Sequence, residues 1–220
     1  MKKYVVAALA AVLSLAVIGS AAAASLPSGQ TLKFEGGGSH VWTKSGGDSP
    51  LDANARSLRL HVGDPNAGEY VAVYSTRSLQ IGKDAEAMTN LSFDFKASTH
   101  VGAGAPRISV EFQNGDVAYL SAFYANHPIG DGWARADFTR FKTDSLFYVS
   151  GETGGQYAAD GTRSAWKVYT DAHPDQIVKR AYLVADESGG YRIDRLSLGA
   201  GVMYTSGNTV GKLCTTEASC

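Results

Sequence analysis

Along most of the chain, apolar and polar residues alternate with a period of two. That is the mark of strands with one buried face. In 56–62, Leu58, Leu60 and Val62 share one parity, and Ser57, Arg59 and His61 take the other. In 90–98, Leu91, Phe93 and Phe95 are predicted inward, and Ser92, Asp94 and Lys96 outward. Ile108, Val110 and Phe112 repeat the pattern. Asn114-Gly115 then predicts a tight hairpin into a strand over 116–124 that is apolar or aromatic on both faces. Further strands are expected over 30–35, 69–75, 133–141, 145–149, 165–169 and 181–185. Pro174, with Ile177 and Val178 behind it, predicts one short helical turn ending at Arg180.

The alternation slips once. In Gly190-Tyr191-Arg192-Ile193-Asp194-Arg195-Leu196-Ser197-Leu198, Tyr191 and Ile193 share one parity, while Leu196 and Leu198 share the other. All four stay buried only if a residue is inserted, so a bulge is expected at Asp194-Arg195, turning Asp194 sideways. Near the other end lies Leu32-Lys33-Phe34-Glu35-Gly36-Gly37, a strand whose carboxylate precedes glycines. The two read as the terminal strands of one β-sandwich, side by side, with Glu35 near Asp194.

Composition narrows the class. Lys2-Lys3, an apolar run from Val5 to Ile18 and the small residues Ala22 to Ala24 predict a cleaved signal peptide over 1–24 and a secreted, extracellular protein with a bacterial-type leader. The remainder, about 196 residues, is of single-domain size, and the sandwich is placed at 25–210. Without the two leader lysines the balance is 18 basic to 21 acidic residues, so neither nucleic acid nor, after cleavage, a membrane is an expected partner. The 25 glycines and scarce helical periodicity suit an all-β chain rich in turns. Cys214 and Cys220, the two cysteines, fall in a tail over 211–220, where export favours a disulfide between them. The expected state is a monomer.

Several short motifs carry a family likeness. They are Phe34-Glu35-Gly36 followed by Trp42, Leu91-Ser92-Phe93-Asp94-Phe95-Lys96-Ala97, Gly132-Trp133-Ala134-Arg135, the Ile177-led turn and the closing Tyr191-Arg192-Ile193-Asp194. Across about residues 30–200 their order resembles the jelly-roll β-sandwiches of non-catalytic carbohydrate-binding modules and their galactose-binding-like relatives. The fold implied is an all-β, two-sheet antiparallel jelly roll with at most one or two short helical turns. The resemblance puts Trp42 and Trp133 in the core. It also implies a structural calcium ion where the first and last strands meet, with Glu35 and Asp194 as its carboxylates. A hard cation that takes six to eight oxygens suits such a pair. The alternative is that Glu35 pairs with Arg192 or Arg195 while Asp194 caps a turn. The chain departs from the family pattern in its long excursion over 144–170.

The function implied is noncatalytic binding of a polysaccharide or cell-wall glycan. Sugar rings expose apolar C–H faces, so aromatic side chains on an open sheet face make platforms, with polar groups fixing orientation. Tyr74, Tyr119, Tyr124 and Trp166 are the candidates, with Arg107 and Glu111 beside them and Trp166 expected at the rim of a groove, carried by the excursion. For any one tyrosine, the competing role is an ordinary cross-strand pair. Two other functions stay open. A polysaccharide lyase could use Tyr119, Tyr124 or His127 as base and Arg107 against a uronate. A structural or adhesive protein would use the fold without a sugar site. Neither a Gly-x-Ser-x-Gly elbow nor an HExxH or CxxC metal motif occurs.

Overall fold

The computed structural model describes residues 32–43, 49–50, 57–75, 88, 90–97, 101–102, 104–199, 203–205 and 209–211. The leader, most of the 44–54 loop and Cys214 and Cys220 lie outside the described residues, as does the side chain of Trp42.

The strands form two antiparallel sheets packed as a β-sandwich. One sheet runs in the order β1 (Leu32–Glu35), β4 (Val71–Ser75), β12 (Val178–Ala185), β6 (Arg107–Phe112), β7 (Val117–Ser121), β10 (Leu146–Ser150) and β11 (Gly155–Ala158). In the other, β13 (Gly189–Leu198) pairs along one side with β5 (Leu91–Ala97), which leads to β9 (Trp133–Asp137) and β8 (His127–Gly130). On its other side β13 meets first β3 (Ser57–Val62), which carries β2 (Ser39–Thr43), and then β14 (Met203–Thr205), followed by β15 (Thr209–Gly211).

The core lies where the predicted inward parities meet. Leu58, Leu60, Phe93, Phe95, Tyr191 and Ile193 of the eight-stranded sheet oppose Val73, Leu183, Ile108, Val110, Phe112 and Leu120 of the seven-stranded one, all buried. The expected bulge is present. The register of β13 against β5 shifts between Asp194 and Ser197, and Arg195 takes a left-handed φ of 46°. The extra residue returns Leu196 and Leu198 to the buried side.

Three expectations are corrected. First, the terminal strands are not neighbours. β1 pairs with β4 in one sheet and β13 belongs to the other, because β13 is flanked by β5 on one side and by β3 and β14 on the other. Second, Ser92 and Asp94 point away from the core yet are buried. Ser49 covers them. Its hydroxyl donates to Asp94 Oδ2 and its amide donates to Asp194 Oδ2 at 3.3 Å. Arg135 Nη1 donates to Asp94 Oδ1 at 2.9 Å, and Arg195 Nη1 stands 3.8 Å from Asp94. Burial pushes the Asp94 carboxyl above its usual range despite these partners.

Third, the segment expected as a strand over 165–169 is a helix, α1 (Ala165–Ala172), and no helix follows Pro174. Ser164 caps α1 by accepting from the amide of Lys167, and Lys167 pairs with Asp171 one turn on at 2.5 Å. Ala165, Trp166, Tyr169 and Thr170 form its buried stripe. Trp166, only 3% exposed, packs against Phe147 at 5.7 Å and Phe112 at 6.3 Å between ring centroids. It is a core residue and does not reach a surface rim.

Asp116 ties two hairpins together. From the β6–β7 turn its carboxylate accepts from the amides of Glu152 (2.7 Å) and Thr153 (2.8 Å) and from the Thr153 hydroxyl (2.5 Å), all in the β10–β11 turn. Burial alone would raise its carboxyl, but the hydrogen bonds from Thr153, Glu152 and Asn114 outweigh it and hold the group below the usual range.

Two predictions follow from this packing. Trp166→Ala should lower the unfolding free energy by about 3–5 kcal/mol, the cost of emptying a large aromatic site, read from denaturant melts. A loss under 1 kcal/mol would contradict its core placement. For Asp116 the unfolded chain takes up the proton before the folded one as pH falls, so the stabilisation is complete above about pH 4 and is lost through the lower, folded value. Asp116→Ala should cost about 1–3 kcal/mol at pH 7 by leaving the part-buried amide bonds of Glu152 and Thr153 without their acceptor, and should flatten the fall of melting temperature with acid below about pH 4. An unchanged acid slope would show that Asp116 is not the titrating clamp.

Candidate functional site

Alternation in the seven-stranded sheet sends every second side chain away from the core. Because the strands are in register, these outward positions line up across it. Lys33 faces Tyr74, Tyr74 faces Tyr182, Tyr182 faces Ser109, Ser109 faces Tyr119, Tyr119 faces Tyr148, and Tyr148 faces Gln156. Four tyrosines thus share one row across the sheet. From Tyr74 to Tyr148 the row crosses four strand spacings, about 19 Å. Tyr74, Tyr182 and Tyr119 are half-buried, and Tyr148 is 40% exposed. Ser109, the short residue at the centre, is buried between Tyr182 and Tyr119.

Beyond Tyr148 the platform continues through Tyr124, whose ring lies edge-on at 5.4 Å, to Phe123, which is 53% exposed. Phe123 and Tyr124 belong to a 3-10 turn after β7, and the Ser121 hydroxyl caps that turn by accepting from the amide of Phe123.

Charged groups flank the row in pairs. Glu111 accepts from Arg180 Nη2 at 2.6 Å and from the Tyr182 hydroxyl at 3.0 Å. Burial works against the Glu111 carboxylate, but Arg180, Tyr182 and Lys179 outweigh it and lower its pKa. Arg180 lies 5.1 Å from the Tyr182 ring centroid and 5.5 Å from that of Tyr74. Arg107 lies 5.8 Å from the Tyr119 centroid. Its Nη1 donates to the Gly104 carbonyl and to Asp186 Oδ1 at 2.6 Å, and its buried Nε has no partner among the described residues.

The phenols of Tyr74 and Tyr182 are hydrogen-bonding groups held in the protonated form. Burial, then Glu111, pushes Tyr182 up to about 12, and burial with Glu35 pushes Tyr74 higher still. The face therefore offers rings, hydroxyls and fixed dipoles.

The structure brings Tyr74, Arg107, Glu111 and Tyr119 of the sequence candidates onto one face, with Tyr124 at its margin. Trp166 is absent from it. His127 stands on β8 of the other sheet, its ring 3.7 Å from that of Phe141, so the quartet considered for a lyase is divided between the sheets. Tyr182, Tyr148 and Arg180 were missed. Their signal was available: Tyr182 has the opposite parity to Leu183, and Tyr148 the opposite parity to Phe147.

Glu35 also joins this face, where it accepts from the Tyr74 hydroxyl at 3.0 Å. Asp194 is buried in the other sheet and accepts from the amides of Ser49 and Arg195. The two carboxylates are not assembled into a calcium site, and among the described residues no group of three or more His, Cys, Asp or Glu side chains gathers to hold a metal. Comparison of the chain with known protein families, with curated proteins and with solved structures finds no match to any of them.

Proposed function

We propose that this protein binds a polysaccharide without catalysing its breakdown, and that the tyrosine row of the seven-stranded sheet is its binding face. The observation that carries the reading is the register: Tyr74, Tyr182, Tyr119 and Tyr148 stand in one line on one open face. A line of half-exposed rings about 19 Å long suits several consecutive sugars better than a single one. Phenol hydroxyls, Glu35 and Glu111 are set to bond sugar hydroxyls around the rings. The arginines on this face carry carboxylate partners, Arg107 with Asp186 and Arg180 with Glu111, so the row favours an uncharged glycan.

The test is a glycan array with the chain, followed by titration of the best neutral oligosaccharide and an absorbance assay for unsaturated uronates. Tyr119→Ala and Tyr148→Ala should each weaken binding by roughly threefold to tenfold, the range of about 0.5–1.5 kcal/mol for one aromatic face. Both variants should keep the melting temperature within a few degrees. No binding to any glycan, or full affinity in both variants, would refute the reading. New ultraviolet absorbance with a uronate polymer would replace it with a lyase.

A further inference from the structure

The turn between β6 and β7 carries chemistry of its own, independent of the tyrosine row. It holds the chain's single Asn-Gly step, Asn114-Gly115, and both residues are exposed. Gly115 takes a φ of 94°, and a Cβ built on it would meet nothing within 4 Å. Neither a side chain of its own nor a neighbouring element crowds that residue.

The Asn114 side chain folds forward along the chain. Its Oδ1 accepts from the Asp116 amide at 3.1 Å, and its Nδ2 donates to Asp116 Oδ2 at 3.0 Å. The first bond polarises the side-chain carbonyl and supplies a donor for negative charge that develops on its oxygen. The second sets the amide against the carboxylate that accepts from Glu152 and Thr153 in the β10–β11 turn. One restraint opposes reaction. The Gly115 amide donates to the Phe112 carbonyl at 3.1 Å, and this bond has to open before the nitrogen is free. An exposed turn opens far more readily than a core strand.

We propose that Asn114 is a site of spontaneous modification: it deamidates through attack by the Gly115 backbone nitrogen, and the carboxylate left behind loosens the Asp116 clamp. In the first step the Gly115 nitrogen gives its proton to hydroxide, bonds to Cγ of Asn114 and closes a succinimide. The Cγ–Nδ2 bond breaks, and Nδ2 takes a proton from water and leaves as ammonia. In the second step water adds to one of the two imide carbonyls. Addition at Cγ gives aspartate on the ordinary backbone. Addition at the backbone carbonyl gives isoaspartate, with the chain running through the side chain. Other described asparagines are placed less well. Asn66 and Asn126 precede Ala67 and His127, whose Cβ atoms crowd the attack, and Asn90 is buried.

Either product exchanges an amide donor for an anion beside Asp116. The Asp116 carboxylate loses a hydrogen bond that helps to hold it below the usual range, and it gains a like charge, so its pKa rises. Tyr157 of β11 and Tyr169 of α1, which face it, are phenols shifted upward and do not titrate in acid, and Glu152 is exposed. The unfolded carboxylates keep ordinary values. The destabilisation is therefore present at neutral pH and fades as acid protonates the pair.

The experiment incubates the folded chain in mildly alkaline buffer and follows each asparagine by peptide mass spectrometry, with fragmentation that separates aspartate from isoaspartate. Asn114 should convert roughly tenfold faster than Asn66, Asn90 or Asn126 in the same sample, giving both products. Asn114→Gln, whose longer side chain does not close a succinimide, should show no conversion at that position. Asn114→Asp, the ordinary product made directly, should melt roughly 2–4 °C below the wild type at neutral pH, with the gap closing in acid. The proposal is overturned if Asn114 converts no faster than the other asparagines. It is overturned equally if Asn114→Asp melts with the wild type at neutral pH, or keeps the same gap in acid.

Discussion

The bulge in β13 is the constraint on which both faces of the eight-stranded sheet depend. A strand alternates strictly, so an uninterrupted β13 could bury Tyr191 and Ile193 or Leu196 and Leu198, but not both pairs. Arg195, in its left-handed conformation, supplies the extra residue. With it, β13 stays against β5 along its length while its other side changes partner from β3 to β14. The same distortion leaves Asp194 and Arg195 buried side by side on a surface that a plain strand would have left to solvent.

That surface is closed by charge pairing, with Ser49 laid over Asp94 and Asp194 and with Arg135 and Arg195 among the acids. Buried ions of this kind contribute little net stability. Removing one of them is costly, because its partner is left charged and dry. Specificity is the better account of their place here: the cluster fixes where Ser49 lies. It also separates a covered part of the outer face around Asp94 from the exposed Arg59 and Val41.

The seven-stranded sheet solves its outer face differently. Its strands put tyrosines at matched register positions, and each hydroxyl or ring finds a partner nearby: Glu35 for Tyr74, Glu111 for Tyr182, Arg107 for Tyr119 and Tyr124 for Tyr148. These contacts restrain the rings before any ligand arrives, which lowers the entropy lost on binding. A pre-ordered aromatic line on a rigid sheet is what supports the carbohydrate reading.

Local pattern in the sequence was enough to set the strand parities, the Asn114-Gly115 hairpin, the two-sheet class and the bulge at Asp194-Arg195. Each follows from the period of two or from one turn, and neither needs a distant contact. It also placed Tyr74, Arg107, Glu111 and Tyr119 on outward positions. The segment 165–169 was misread because Trp166 and Tyr169 suit a strand as well as a helix over five residues. Only the cap at Ser164 and the buried stripe running on to Thr170 decide for α1. Strand neighbours were beyond reach for a different reason. Alternation says which way a side chain points but not which strand lies beside it, so Glu35 could be drawn next to Asp194 when it belongs beside Tyr74. Apart from the β6–β7 hairpin, the tyrosine row comes from pairings between strands far apart in the chain. Backbone register between such strands is a property of the assembled sheets, and it alone turned single outward residues into a line.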